Sequence, residues 1–589
     1  MTAPNVQSLW DTITGRRTAD FLVQPDQSFS YQDLGGAVQQ WLAAFDAHAL
    51  QVGDRIVIRS SDEWAATSGF IAALLDGVVP VLLSAETADH RVRSLCETVE
   101  AALVVADHPY QPESPVCAII ALAPPAPKRF SLAKRAAKVP GLDFAPAARQ
   151  PRLPLDPQAL AYILFTSGTT AAPSGVCINR GNLFANLATL TRLFNVDANA
   201  RIFNDMILAH ADGLVQGPLM AALNGCALIR SGGFQLGQIE PWLNRVRTTR
   251  STHVITVPTI WAMIDSYAAH DDYFDAAECR ALMSVAAKLP EPLWLRLEAR
   301  FKRPVFNEYG LTETVASAIY AGSHAEMGAF GTIGKPVDCE ARIDPLADGV
   351  GELQLRGANV FTGYWRNPER TAASFVDGQW FKTGDLAQQR ADGSFEILGR
   401  LKSVIMSGGF LIHPDEIDEA MLRHPFVQES VTVAVNDPMF DEVPVTAVVL
   451  RGEVDEVDLT AHARTFLEPR KVPKRIIALP SIPRGDSGKA KLAELQTFLE
   501  QAMPKVGADR HADATLLAVI SAAASVFRVS PSALTSRTAQ GDVPGWDSFS
   551  QISLVLTVED IFGIRIPASR VATIRTLGDL VTVVGTLRK

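Results

Sequence analysis

The chain has 589 residues, of which 47% are hydrophobic and 20% charged. This is an ordinary globular composition, long enough for several cores. Its 54 Lys and Arg against 64 Asp and Glu leave a formal charge of −10, which argues against a polyanion-binding surface, so no nucleic-acid partner is expected. Cys96, Cys117, Cys177, Cys226, Cys279 and Cys339 are scattered singly. That pattern argues against a disulfide framework or zinc finger and for reduced thiols in a cytoplasmic protein.

Met1 to Arg17 is too polar for a signal peptide. From about residue 20 to 330, short apolar runs alternate with helix-length amphipathic stretches, as in Arg55–Arg59, Glu63–Leu75 and Val78–Leu83. That rhythm predicts parallel-sheet α/β architecture. The most apolar stretch, Phe70 to Leu83, is interrupted by Asp76, Gly77 and Pro80, so no membrane span is expected. Beyond about 330, strand-like pieces are punctuated by Asp348-Gly349, Asp377-Gly378 and Asp392-Gly393, which predicts antiparallel hairpins. An α+β unit follows, with helices over Pro414–Arg423 and Leu459–Phe466 and strands over Ser430–Val435 and Thr446–Arg451. Gln501–His511 reads as a linker, and Ala512–Phe527, Ser548–Phe562 and Thr576–Val584 as a small helical bundle.

Four segments carry chemistry. The apolar run Ala161–Phe165 enters Thr166-Ser-Gly-Thr-Thr170 and then Ala171-Ala-Pro-Ser-Gly175. Such a loop offers backbone N–H groups and hydroxyls to phosphate oxygens. It is not a Walker A loop, and no Gly-x-Gly-x-x-Gly is present. Next, Asn307-Glu-Tyr-Gly-Leu-Thr-Glu-Thr314 sets a carboxylate beside a hydroxyl at a glycine turn, a combination that can hold Mg²⁺ and a phosphate oxygen. The bland alternative is a helix start capped by Thr312. Thr383-Gly384-Asp385 places an Asp where it can accept from a ribose diol, followed by Gly399-Arg400-Leu401-Lys402. Last, Pro483-Arg-Gly-Asp-Ser-Gly-Lys489 carries a lysine on a loop.

In this order, over more than 300 residues, the set resembles the adenylate-forming superfamily of acyl- and aryl-CoA ligases and non-ribosomal peptide adenylation domains. The weak opening pattern Phe29-Ser-Tyr31…Leu34 and Gly53-Asp54-Arg55 belongs to it too. The resemblance implies an α/β multidomain protein. Residues 1–399 would form a large body with a β-barrel-like part, and 400–500 a small subdomain mobile about Lys402. It implies roles as well. Thr166, Ser167, Gly168, Thr169 and Thr170 would wrap the ATP phosphates; Asn307 and Tyr309 would frame the adenine. Thr312 would touch the α-phosphate, Glu313 hold Mg²⁺, and Asp385 with Arg400 bind the ribose. Lys489 would bridge the substrate carboxylate and the α-phosphate. A fixed ammonium and Mg²⁺ offset the repulsion of one anion attacking another. One departure stands out: the family loop usually carries a lysine where this chain has Ser174.

His210, in Ala209-His-Ala-Asp-Gly-Leu214, occupies a further landmark and is grouped with the catalytic set. It is neutral or cationic near pH 7 and ill suited to hold an α-ammonium, which favours an ordinary carboxylic acid over an α-amino acid. By the same resemblance the acid pocket is lined by Ala211, Leu214, Thr256, Met283, Val285, Glu308, Ala316 and Ser317. Glu308 is the oddity there: it needs a partner, either Lys288 or a cation on the substrate.

In the tail, Gly545-Trp-Asp-Ser-Phe549 opens a helix, and Phe562-Gly-Ile564 and Ile566-Pro567 follow. Residues 512–589, after a linker at 501–511, resemble acyl and peptidyl carrier domains, with Ser548 as the acceptor of 4′-phosphopantetheine. The expected partners are a small carboxylic acid, a phosphopantetheinyl transferase and a downstream polyketide or peptide synthase component. No condensation, thioesterase or reductase fingerprint is present.

Overall fold

A computed structural model describes the chain except residues 1–3, 108–116, 123–137, 167–173, 235–237, 348, 402–404, 408–409, 438–440, 453, 468–470, 486–489, 503–509, 528, 530–533, 541, 544–545, 547, 563, 565, 572–573 and 588–589. It forms two compact units, Met1–Gln496 and Thr497–Lys589.

The apolar stretch near residue 70 shows how the first unit is built. Asp62 caps the helix Glu63–Asp76, accepting from the backbone N–H groups of Trp64 and Ala65 at 2.9 and 3.0 Å. Gly77, at φ 79°, ends it in the left-handed conformation. The chain then enters Val79–Leu83, a strand buried along its whole length. This strand lies between Arg55–Arg59 and Leu160–Thr166 inside a seven-stranded sheet. The interruption at Asp76 and Gly77 is therefore a helix-to-strand junction. Asp76 is fully buried, and Arg149 at 2.7 Å and Arg152 at 3.3 Å neutralise it.

A second sheet has nine strands with a parallel centre: Val305–Tyr309, Ala281–Ser284, His253–Thr256, Arg201–Asn204, Ala227–Ile229 and Asp20–Val23 are neighbours in that order. Ile319–Ala321 runs antiparallel on the far side of Val305–Tyr309. The opening sequence pattern is explained by a capping box at Ser30 and Asp33. The Tyr31 hydroxyl then ties that helix to the carbonyls of Ala221 and Cys226 at 2.6 and 2.8 Å.

The third sheet holds the expected hairpins, Cys339–Ala347 with Val350–Gly357 and Trp380–Gln389 with Phe395–Arg400. Its five strands pair along an open path with one branch. Among the described residues no pairing between its end strands closes this sheet. A fourth sheet, with the helices Pro414–Leu422 and Glu456–Phe466, forms the C-terminal part of the unit. The ion pair Lys288–Glu419, at 3.5 Å, joins this part to the body.

In the second unit the helices Arg510–Phe527, Ser548–Phe562, Ala568–Val571 and Leu577–Leu587 surround one apolar core that includes Val519, Trp546, Leu554, Val558, Leu580 and Val584. Helices Leu492–Ala502 and Arg510–Phe527 reach into both ends of the segment read as a linker, because the apolar spacing Leu492, Leu495, Leu499 carries on to its edge. All six cysteines are free thiols. Among the described residues no helix is long and apolar enough to cross a membrane.

Candidate active site

Val305–Tyr309 delivers three of the singled-out residues to the end of a buried strand, and alternation sends Glu308 to the opposite face from Asn307 and Tyr309. Asn307 is buried, donates its amide to the Thr332 carbonyl at 3.2 Å and has no donor for its own Oδ1 among the described residues. The Tyr309 hydroxyl donates to Asp385 Oδ2 at 2.6 Å. Burial and then the Asp385 charge push the Tyr309 phenol well above its ordinary pKa. Asp385 pairs in register with Arg400 on the adjacent strand, and their side chains meet at 2.6 Å. Arg400 also donates to the Thr383 carbonyl at 3.3 Å. The structure thus brings Tyr309, Asp385 and Arg400 into one cluster, 76 or more residues apart in sequence for the tyrosine.

The Gly310 turn has a steric cause. A Cβ at that position would lie 1.8 Å from the Ala316 carbonyl oxygen and 2.6 Å from Ser317 Cα. Thr312–Thr314 then forms a single 3₁₀ turn. The cap expected from Thr312 is made by Thr314 instead: its Oγ1 accepts from Leu311 N and donates to Leu311 O, both at 2.9 Å. That leaves Thr312 and Glu313 half-buried at the turn. Glu313 Oε1 accepts from the Tyr364 hydroxyl at 2.8 Å.

Beneath Tyr364 lies a residue that the motifs did not single out. The Arg370 guanidinium stacks on the Tyr364 ring at 4.3 Å and donates to the Ser174 hydroxyl. Asn367 caps the short helix that carries it, accepting from Arg370 N at 2.9 Å. The signal was present as an absence: Ser174 stands where a loop cation is usual, so a cation had to be sought elsewhere.

The acid-pocket candidates Ala211, Leu214, Thr256, Met283, Val285, Glu308, Ala316 and Ser317 are all buried. Lys288 does not pair with Glu308; it faces Glu419. Glu308 Oε2 accepts instead from the Ser317 hydroxyl at 2.7 Å. Burial is the main cause that raises the Glu308 pKa to about 8; the Ser317 bond opposes it and the nearby Asp212 adds to it. His210 stands at the start of the short helix Ala211–Leu214, its carbonyl accepting from Leu214 N at 2.9 Å. Ser167, Gly168, Thr169, Thr170, Lys402 and Lys489 lie outside the described residues. Thr166 ends the strand Leu160–Thr166, and Ser548 begins a helix.

The family model for AMP-binding enzymes matches residues 9–365, and that for their C-terminal domain matches 416–489. The chain belongs to the AMP-binding enzyme family. It is 35% identical to sulfoacetate–CoA ligase of Cupriavidus necator over 61% of this chain and 70% of that one. It is 28% identical to 2-succinylbenzoate–CoA ligase of Bacillus velezensis over 80% of this chain and 93% of that one. ATP-bound MatB from Rhodopseudomonas palustris shares the fold, with a TM-score of 0.73 at 24% identity over 85% of this chain and 99% of that one. Membership makes the chain an ATP-dependent, AMP-forming acid–thiol ligase that works through an acyl-adenylate. A solved structure 24% identical to this chain, O-succinylbenzoate coenzyme A synthetase from Bacillus subtilis, holds ATP and a magnesium ion. Among the described residues there is no group of three or more potential metal-ligating side chains.

Proposed function

We propose that this ligase activates a small carboxylic acid as acyl-AMP and transfers it to a phosphopantetheine thiol on Ser548 of its own tail, as a loading module. The single observation that carries this is the tail: helices around a separate core, with Ser548 at the first position of Ser548–Phe562, outside both family matches. A phosphodiester is electrostatically favoured at a helix N-terminus.

In this reading Asp385, held by Tyr309 and Arg400, receives the ribose hydroxyls, and Asn307 Oδ1 accepts from the adenine amine. Glu313 positions Mg²⁺, which supplies charge neutralisation at the phosphates. Arg370, parked on Ser174 at the end of the phosphate loop, provides the positive charge that the loop lacks. Lys489 closes on the reacting carboxylate. A phosphopantetheinyl transferase primes Ser548, and a polyketide or peptide synthase component receives the acyl group.

A second reading has free coenzyme A as the acceptor, favoured by the similarity to CoA ligases. One experiment separates them. The chain is treated with a phosphopantetheinyl transferase and coenzyme A, desalted, and given ATP, Mg²⁺ and an acid pool. The expected result is a tail peptide containing Ser548 that carries phosphopantetheine plus one acyl group by mass spectrometry. An unmodified Ser548, with acyl-CoA accumulating whenever free coenzyme A is present, rejects self-loading in favour of the second reading.

A further inference from the structure

Around Ser317 the interior holds hydrogen-bond acceptors that no described donor reaches. Glu308 Oε2 takes the Ser317 hydroxyl, yet Glu308 Oε1 is buried without a partner. Gln216 donates its Nε2 to Ser317 Oγ at 3.4 Å and to Asp212 Oδ1 at 3.3 Å, which turns its own Oε1 into another buried, unpartnered acceptor. Asn186 and Asn359 donate to the Ser317 carbonyl at 2.6 and 3.4 Å and likewise keep an unpartnered Oδ1. Side-chain amides at these places are oriented by what they donate to, so the oxygens left over are acceptors by construction. The Tyr320 hydroxyl does not help, since it donates to the same Ser317 carbonyl at 3.1 Å. Together these residues leave four buried side-chain oxygens without a described partner around one serine; Glu308 Oε1 is an acceptor once its carboxyl ionises, and the three amide oxygens are acceptors in either state.

We infer that this cluster is the recognition site for a protonated amine at the distal end of the acid substrate. The inference rests on the acid-activating reading, because Glu308 and Ser317 stand in the proposed acid pocket. An ammonium brings three donors and a positive charge. Asp212, a second carboxylate, acts on Glu308 with its negative charge. A dicarboxylic acid would therefore set a third carboxyl among these, and a methyl-ended acid would leave the acceptors unmet. Burial raises the Glu308 pKa to about 8, so the carboxyl holds a proton near neutral pH, and a cation placed beside it would stabilise the anion. The geometry also accommodates His210 without an α-ammonium role, since the amine is read at Glu308 rather than beside the reacting carboxylate.

The test uses acids matched in length that end in an amine, a methyl or a carboxylate. Their binding to the full chain is followed by titration calorimetry with α,β-methylene-ATP present, and their activation by ATP–pyrophosphate exchange. The amine-ended acid should bind about 10- to 100-fold more tightly than its methyl counterpart, the span of a charge-assisted hydrogen-bond set. Glu308→Gln should shrink that ratio by about 10-fold, with thermal melting confirming that the variant folds. Equal binding of amine and methyl acids, or a ratio unmoved by Glu308→Gln, means that buried waters alone occupy the cluster and overturns the inference. Amine-selective binding without any exchange would support this site while removing the adenylation reading, so the two failures are distinguishable.

Discussion

In the proposed site, Arg370 would answer for a missing side chain. The phosphate loop ends at Ser174, a neutral residue, and a guanidinium from a different segment donates to its hydroxyl. The same guanidinium stacks on Tyr364, whose hydroxyl holds Glu313. Arg370 is thus linked through one ring to the proposed metal carboxylate and directly to the loop. If it supplies charge to the nucleotide phosphates, Arg370→Ala should raise the KM for ATP about 10-fold or more and change kcat little, the loss expected for one charge-assisted hydrogen bond made before the transition state. Arg370→Lys should recover part of the affinity, since it keeps the charge and loses the fork. Steady-state exchange kinetics over ATP concentration check this. An unchanged KM in Arg370→Ala would make the residue a structural brace for Tyr364 alone.

At the scale of elements, the turn between Tyr309 and Ala316 controls the most site residues for its length. It orients Tyr309 toward Asp385, holds Thr312 and Glu313 half-buried at the turn, and backs Ser317 against Glu308. Gly310 permits this by letting its backbone lie against the Ala316 carbonyl. Gly310→Ala should therefore destabilise the protein by about 2 kcal/mol or more, as overpacking against backbone does, and abolish most exchange activity. Gly36, inside the helix Tyr31–Ala47 with open space around it, is the control. Gly36→Ala should stabilise by about 0.5–1 kcal/mol with activity intact. Chemical unfolding of both variants reads opposite signs.

The same turn marks the limit of what the sequence discloses. The strand Arg55–Arg59, the helix after Asp62 and the hairpins around Asp348-Gly349 and Asp392-Gly393 were legible because local periodicity and turn chemistry dictate them. So was the pairing of the Thr-Gly-Asp and Gly-Arg motifs, which reach each other across one hairpin. The partner of Glu308 was not legible. Lys288 is twenty residues away in sequence, but the actual partner Ser317 arrives just before the antiparallel return of Ile319–Ala321, and Gln216, which donates to Ser317, comes from a distant helical segment. Nor was the strand order of the third sheet legible, because it depends on pairing between distant strands that no local pattern records.

For the whole molecule, the tail has its own core, with Phe527 and Trp546 stacked at 4.8 Å and the Trp546 indole donating to Gln551 at 2.7 Å. The span 503–509 lies between the helices Leu492–Ala502 and Arg510–Phe527. If the tail is the carrier proposed above, so short a connection gives it an effective concentration in the millimolar range at its own active site. Loading should then be first order: after priming, the half-time for acylation of Ser548 should stay constant when the protein is diluted tenfold. A mixture of two full-length variants provides the contrast. Ser548→Ala can make acyl-adenylate but has nowhere to put it, and Lys489→Ala can be primed but adenylates slowly, by about 10²–10³. Acylation of the second by the first must pass between molecules, so its rate should fall in proportion on dilution and lag the unaltered chain throughout. If instead the unaltered chain loads no faster than the mixture and slows tenfold on tenfold dilution, the tail is a carrier served by other molecules, and covalent attachment contributes nothing to the transfer.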